Sequence, residues 1–333
     1  MRFHSNLLRA RNTFSAGLLL LAANIALSVP AHAEDCALQQ MAALDMQELP
    51  DGRITVPVKV NGAEYQFLVD TGGVYSSLSS DIVKQLDLKK HEIAGQLYGI
   101  RGNRKKYGVS LDSFMIGPNE AKRFKVVVED ADGLPPGVSG ILAPDMLSVF
   151  DADFDFGKKK LNLFSQRHCP GKVVYWTNAF VEVPFDYIGR GGHINFSMAL
   201  DGKVLPITFD TGSAITLISE SRARSQFGVA TDSPGVERMP DAKDDWVVKF
   251  SKRFDTLALD GVTVKNPKIY LFDDAAIARG FKRENSYKSD TDPIYGDSIS
   301  ASPLILGMNL IQKLHLYVAF GEKKIYATAA NAH

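Results

Sequence analysis

From residue 54 the chain reads as short alternating runs separated by turn residues. Ile54-Thr55-Val56-Pro57-Val58-Lys59-Val60 places an apolar side chain at every second position, the period of a half-buried strand. Asn61-Gly62 follows, the pair that best satisfies a type I′ hairpin because both central residues need positive φ. A second apolar run, Phe67-Leu68-Val69, ends at Asp70-Thr71-Gly72-Gly73, which places a carboxylate on the loop that leaves a strand. A strand-like run from Val74 to Leu78 comes next, then a short helical segment over 80–86 whose Ser-Asp start supplies an N-cap. Phe124 to Val128 is another strand, and Asp130 to Gly140, with Pro135-Pro136, is a polar loop. Phe154-Asp155-Phe156 and Leu161-Asn162-Leu163-Phe164 alternate on either side of a Gly157-Lys158 turn. The predicted fold class is all-β.

The pattern then repeats. Ile207-Thr208-Phe209-Asp210-Thr211-Gly212-Ser213 restates the first Asp-Thr-Gly run at an offset of 140 residues, and Asp201-Gly202 precedes Asp210 by the nine residues that separate Asn61 from Asp70. Downstream, 141–161 matches 305–325 without a gap at an offset of 164, so the second copy carries a net insertion of 24 residues. A repeat of this length is a duplicated domain and not a solenoid of short units. One Asp-Thr-Gly is ordinary turn chemistry. Two in matched context, each with the same downstream signature, are a specific signal.

The paired motifs resemble the aspartic peptidases, and the resemblance covers nearly all of the chain after its first fifty residues. It implies a bilobal acid-protease fold, two homologous β-barrel-like lobes with the active-site cleft between them. In that family a hydrophobic-hydrophobic-Gly element packs behind each Asp-Thr-Gly loop. Ile305-Leu306-Gly307 fits it, and Ile141-Leu142-Ala143 departs at the glycine. The short halves resemble retropepsin halves, here both carried by one chain. By position, Gln96 to Arg104 resembles the flap that folds over bound peptide, with Tyr98 and Gly99 placed against substrate, an ordinary surface hairpin being the alternative. Ser233 to Asp245 occupies the place of a second flap but has the composition of a plain loop.

The chemistry that the resemblance implies needs two carboxylates face to face. Such a pair holds one shared proton over a range of pH, because both members cannot ionise cheaply at hydrogen-bonding distance. The ionised member activates water as general base, and the protonated one hydrogen-bonds the scissile carbonyl. Asp70 and Asp210 are the candidates. Thr71 and Thr211 carry the hydroxyls expected to interlock beneath them, and Gly72 and Gly212 let backbone amides approach the carboxylates. Ser213 has a hydroxyl to offer Asp210 where Gly73 has none, so Asp210 is expected to ionise the more readily. Ala143 puts a methyl where glycine is expected, an overpacking that typically costs about 1–3 kcal/mol.

The first residues change the compartment. Arg2, Arg9 and Arg11, the apolar run Ser15 to Val29 and Ala31-His32-Ala33 read as a signal peptide over 1–33. The run is short for a spanning helix of about 20 apolar residues, so no stable membrane insertion is expected after cleavage. The product is exported, to the periplasm or beyond. Export makes a Cys36–Cys169 disulfide the expected pairing, two unrelated free thiols being the alternative. The expected organisation is an N-terminal lobe over 34–170, a connection over 171–192 and a C-terminal lobe over 193–333, in a monomer. Arg279 to Ser302, a polar stretch, holds much of the insertion.

Composition narrows the classes further. Hydrophobic residues at 45% and charged ones at 23% suit real cores, and loss of the three leader arginines takes a balanced chain to −3. That charge gives no reason to invoke nucleic acid. Four basic residues between Arg101 and Lys106 read as a solvated loop, or as a site for acidic peptides or cell-wall material. Gly189-Arg190-Gly191-Gly192 lacks the Lys-Ser/Thr of a phosphate loop. No metal or cofactor is indicated, and the partner is a peptide or protein substrate. An exported aspartic endopeptidase is the leading reading, a catalytically silent peptide-binding pseudo-peptidase the second, and a glycosidase with paired acids the third.

Overall fold

The computed structural model describes residues 36–98, 104–188, 192–239, 248–274 and 304–330. The leader over 1–33, the glycine-rich turn over 189–191 and the polar stretch Arg279 to Ser302 lie outside the described residues. Among the described residues there are three sheets. One holds eight strands between Gln47 and Leu142, one holds strands between Asp186 and Leu306, and a six-stranded sheet draws on both halves. The architecture is all-β and bilobal.

Each half is built on the same frame. Strands Ile54–Val60 and Ala63–Val69 pair across Asn61 and Gly62, at φ 48° and 90°, and strands His193–Leu200 and Lys203–Phe209 pair across Asp201 and Gly202, at φ 45° and 75°. These are the two positive-φ hairpins that the Asn-Gly and Asp-Gly pairs predict. Strand Ala63–Val69 then runs parallel to Gly140–Leu142, which is antiparallel to Ser77–Ser79 on its other side. In the second half Lys203–Phe209 is parallel to Leu304–Leu306, itself antiparallel to Leu217–Ser219. In each half a later strand is therefore inserted between the strand that delivers the aspartate and the one that leaves its loop, and it fixes both ends of the Asp-Thr-Gly loop. Short helices follow at Ser80–Gln85 and Glu220–Phe227, capped by the Oγ atoms of Ser79 and Ser219, one residue earlier than the Ser80-Asp81 start predicts.

The six-stranded sheet has the order Gln40–Asp45, Lys160–Phe164, Asp151–Asp155, Leu314–Ala319, Lys324–Ala329, Val181–Pro184. At its centre Ala152 faces Val318, Asp153 faces Tyr317 and Phe154 faces Leu316. At the tail offset of 164 these pairs exchange into one another, so an approximate two-fold axis passes between Asp153 and Tyr317. The matched tails are thus the seam that joins the halves. Val181–Pro184, read as connection, closes one edge of this sheet, and Gln40–Asp45 closes the other.

The alternation around Phe154 predicts a strand with one wet face, and here the structure differs. Asp151, Asp153 and Asp155 are all buried. The segment after Cys169 crosses the outer face of the sheet and covers them. Trp176 stacks on His315 at 3.8 Å and donates to Thr328 Oγ1, His315 Nε2 meets Asp153 Oδ1 at 2.7 Å, and Tyr175 and Asn162 donate to Asp153 Oδ2. Asp151 meets His168, and burial pushes its carboxyl above the ordinary range against that pairing. Buried carboxylates persist only when paired and hydrogen-bonded in this way. Cys36 and Cys169 are joined in a disulfide across 133 residues, tying the start of the described chain to the covering segment.

That bridge closes a long loop, and chain-entropy arguments assign about 4–5 kcal/mol to it, with measured losses of about 2–5 kcal/mol in such cases. A Cys36→Ser/Cys169→Ser variant is expected to lose stability in that range by urea unfolding. Wild-type stability in the variant would show that the covering segment is held without the bridge.

Candidate active site

The two Asp-Thr-Gly loops meet at the floor of the cleft, at the ends of strands Ala63–Val69 and Lys203–Phe209. Thr71 Oγ1 donates to the Phe209 carbonyl at 2.9 Å and accepts from the Thr211 amide at 3.0 Å. Thr211 Oγ1 donates to the Val69 carbonyl at 2.7 Å and accepts from the Thr71 amide at 3.1 Å. Both threonines are fully buried, so each hydroxyl satisfies one donor and one acceptor of the opposite loop that water does not reach.

This grip sets the carboxylates side by side. Asp70 Oδ1 accepts the amides of Gly72 and Gly73 at 3.0 and 2.8 Å, and Asp210 Oδ1 those of Gly212 and Ser213 at 2.9 and 3.1 Å. The two carboxyl groups lie within hydrogen-bonding reach of each other. A Cβ at Gly72 would lie 2.3 Å from Asp210 Cγ, and one at Gly212 would lie 2.3 Å from Asp70 Oδ1. No side chain fits at either position without moving the opposite aspartate.

The hydrogen bond on which the expected ionisation order rests is not made. Ser213 Oγ turns away and donates to the Ile215 carbonyl at 2.8 Å, so it does not single out Asp210. Burial raises both carboxyls. Asp210 is driven well above the ordinary range, since the charge of Asp70 and the hydrogen bond between the two add to its burial. Asp70 rises too, but the Gly73 amide, the hydrogen bond from Asp210, the Gly72 amide and the charge of Arg53 oppose the rise. The charge of Arg53 thus acts on the Asp70 side of the pair. Arg53 is held by Asp51, through Nε at 2.9 Å and Nη2 at 2.6 Å, while Nη1 reaches the Gly212 carbonyl at 3.4 Å. At the offset of 140 its counterpart is His193, which burial pushes below its ordinary pKa. The cation therefore stands on one side of the pair.

Behind the loops the halves solve one packing problem differently. A Cβ at Gly307 would lie 2.2 Å from the Ile215 carbonyl oxygen. The Asp210 loop is drawn against it by Met308 N–H to Ser213 O at 2.8 Å and Asn309 N–H to Ala214 O at 3.1 Å. In the first half Pro144 stands at the place of Met308 and has no N–H to give, so the first of these bonds cannot form. Ala143 keeps the backbone of Gly307, φ −108° and ψ 175° against −104° and 176°, and its methyl is accommodated. Ser76 Oγ donates to Asp145 at 2.6 Å and accepts from the Ala143 amide at 3.1 Å, as Thr216 does with Asn309 and Gly307. The overpacking expected of Ala143 is relieved by the proline beside it.

The loops open into a cleft of about 890 Å³ lined from both halves, with Arg53, Asp70, Tyr75, Asp210, Ser213 and Leu217 on its walls. Tyr98 ends the strand His91–Tyr98, paired with Arg104, while its side chain and Gly99 lie outside the described residues. Strand Val236–Arg238 pairs with Val248–Arg253, so part of the stretch read as a plain loop is a hairpin. From the basic run, Lys105 is buried against Glu129 and is not a free cation for an acidic substrate. Arg53 and Ser77 were missed in the sequence. The 140-residue offset could have flagged both, since it sets arginine against histidine and serine against leucine.

Residues 56–143 match the family described as Aspartyl protease. Together with the bilobal architecture and its facing Asp-Thr-Gly loops, this match supports an aspartic peptidase of this fold. In structure the chain is similar to basic 7S globulin from soybean, at 9% identity and TM-score 0.49, over 89% of this chain and 100% of that one. It is also similar to an aspartic proteinase from Irpex lacteus, at 15% and 0.48, over 87% and 98%. A retropepsin-like aspartic protease from Rickettsia conorii matches at 24% and 0.28, over 39% of this chain and 96% of that one. No curated protein matches in sequence. Among the described residues no cluster of metal-ligating side chains occurs, and no helix is long and apolar enough to cross a membrane.

The difference behind the loops is testable. Gly307→Ala is expected to cost about 1–3 kcal/mol by overpacking, whereas Ala143→Gly is expected to stay within about 1 kcal/mol. Urea midpoints of the two variants check this, and equal losses would refute the role given to Pro144.

Proposed function

We propose that the protein is an exported aspartic endopeptidase that hydrolyses peptide bonds by activating water between Asp70 and Asp210. The observation that carries this reading is the reciprocal threonine grip, which holds two half-buried carboxyls within reach of each other at the floor of an open cleft. Asp70, whose carboxylate the charge of Arg53 favours, takes a proton from the attacking water. Asp210 holds its proton toward the scissile carbonyl and stabilises the charge that grows there. Collapse of the tetrahedral intermediate passes a proton to the leaving amine and restores the shared-proton pair. Thr71, Gly72, Thr211, Gly212 and Ser213 position the pair through the contacts given above.

The hairpin of His91–Tyr98 and Arg104–Ile116 is the proposed flap, with Tyr98 and Gly99 at its tip. Leu97 and Lys105, paired across it, both line the cleft, which supports that placement. Export is supported by the disulfide, which persists in oxidising compartments. The 1–33 leader and a periplasmic or secreted destination belong to the same proposal, as does action as a monomer.

The leaderless chain, incubated with an unfolded protein from acid to neutral pH, is expected to cleave it, with Asp70→Asn and Asp210→Asn each abolishing cleavage. Cleavage that survives either substitution would refute the assignment. Folded protein that binds peptides and cuts none at any pH would establish the silent pseudo-peptidase instead.

Arg53 gives a second test with a defined sign. Its cation favours the Asp70 carboxylate, so removing it raises the pH below which both carboxyls are protonated. Arg53→Met is expected to move the acid limb of the kcat/KM profile to higher pH. A limb that stays in place, or moves down, would show that Arg53 does not bias the pair.

A further inference from the structure

The first half of the cleft carries a buried ion pair that its twin does without. Lys105 Nζ meets Glu129 Oε1, with the two side chains 9% and 11% exposed, and both residues line the cleft. Ser79 pairs with Glu129 in the first half and Ser219 with Phe272 in the second, so the fold sets a phenylalanine where Glu129 stands. The frame therefore works without this carboxylate. Burying two charges costs desolvation that apolar packing avoids, so stability alone does not account for the pair.

Two elements bring the charges together. Lys105 faces Leu97 across the hairpin proposed as the flap, and Glu129 lies two residues from Val127 on strand Asn119–Glu129. Cross-strand partners share a face of the sheet, and so do residues two apart on one strand. Each charge thus has an apolar neighbour, and Leu97 and Val127 line the cleft beside them. Leu134 and Ile141 extend the apolar part of this wall. The turn over 131–133 packs on one side of the carboxylate, since a Cβ at Gly133 would lie 2.8 Å from Glu129 Oε1. Among the described residues Oε2 accepts no hydrogen bond, and it is not sealed from solvent. Lys105 Nζ gives one of its three donors to Glu129, and among the described residues the other two have no partner. The pair is neutral as a unit and offers the cleft an acceptor and a donor side by side. Asp130 and Asp132 stand exposed on the rim, in water, where a charge selects weakly.

We propose that this wall is a subsite for a substrate carboxamide, the side chain of glutamine. Its carbonyl accepts from Lys105 Nζ and its N–H donates to Glu129 Oε2, while its two methylenes lie along Leu97 and Val127. Leucine or methionine fills the same space but leaves the donor and the acceptor without partners away from water, which a site of this kind rejects. Lysine or glutamate brings a charge that the neutral pair does not balance. This subsite deepens the peptidase reading above and rests on it for the entry of peptide into the cleft.

The test is a randomised peptide pool cut by the leaderless chain, with the products sequenced. The expected result is a preference of about tenfold or more for Gln over Leu, Met, Lys and Glu at one position near the cut, the size that hydrogen bonds to charged groups supply. Two variants give the preference a sign. Glu129→Gln leaves the charge of Lys105 unbalanced, and the preference at that position is expected to move from Gln to Glu. Lys105→Met/Glu129→Met replaces both charges by apolar groups of similar volume, and the preference is expected to become Leu or Met. Each preference is a ratio of kcat/KM between peptides cut by one enzyme, so a smaller folded fraction does not alter it. A wild-type pool without a Gln preference, or a Gln preference that survives in both variants, would overturn the subsite and leave the peptidase standing. If the wild type cuts nothing, fluorescent peptides that differ only in Gln, Leu, Lys or Glu are titrated instead. Tighter binding of the Gln peptide would then keep the subsite and overturn the peptidase, and equal binding, or none, would overturn both.

Discussion

Everything in this molecule depends on two threonine hydroxyls that each bond to the backbone of the other half. A hydroxyl is both donor and acceptor, so Thr71 and Thr211 can each take an amide and give to a carbonyl of the opposite strand end. In a buried site these are obligatory bonds, since leaving one of the groups unpaired costs about 1–3 kcal/mol. The grip therefore specifies the distance and angle between the halves, and with them the approach of the two aspartates. The missing Cβ atoms of Gly72 and Gly212 are the other half of the constraint. Without that space the hydroxyl network could form only by pushing the carboxylates apart.

A second symmetric contact supports the first. The central pair of strands in the shared sheet brings Asp153 and Tyr317 onto an approximate two-fold axis, while the threonines sit about an equivalent axis at the cleft floor. The motifs repeat at an offset of 140 and the tails at 164, so the extra residues of the second half fall between two symmetric contacts without disturbing either. Insertions in surface loops cost little in chain entropy. The sheet has its own requirement, because its outer face carries carboxylates and must be covered. The segment anchored at Cys169 provides the imidazole, phenol and indole partners that make that burial tolerable.

The fold was legible because its signals are local and occur twice. Period-two runs, two positive-φ turn pairs and two Asp-Thr-Gly loops mark the hairpins and the strand ends, and the structure places them as read. What the sequence did not show was pairing at long range. The alternation at Phe154 gives one face to the core but does not reveal that a segment twenty residues on will bury the other. The hydroxyl of Ser213 was expected to serve Asp210, and only the conformation of the loop shows it turned to Ile215. Arg53 lies seventeen residues before Asp70, just ahead of a strand of ordinary pattern, and its charge matters only because the fold brings it to Gly212.

A duplicated fold supplies its own control, since each half shows what the frame requires. Positions at which the halves agree in chemistry, such as the aspartates, threonines and glycines, are the ones the two-fold contacts demand. Positions at which they differ are free of that demand. Pro144 against Met308 shows how such freedom is used without loss, because removing one N–H makes room for one methyl. Arg53 against His193 and Ser77 against Leu217 differ in another way, for each pair gives one wall of the cleft a charge or a polar atom that its twin lacks. A symmetric pair of acids cannot by itself decide which member holds the proton, and a symmetric cleft cannot decide which way round a peptide lies. Both decisions need the symmetry to be broken close to the carboxylates, and it is there that the two halves of this chain diverge.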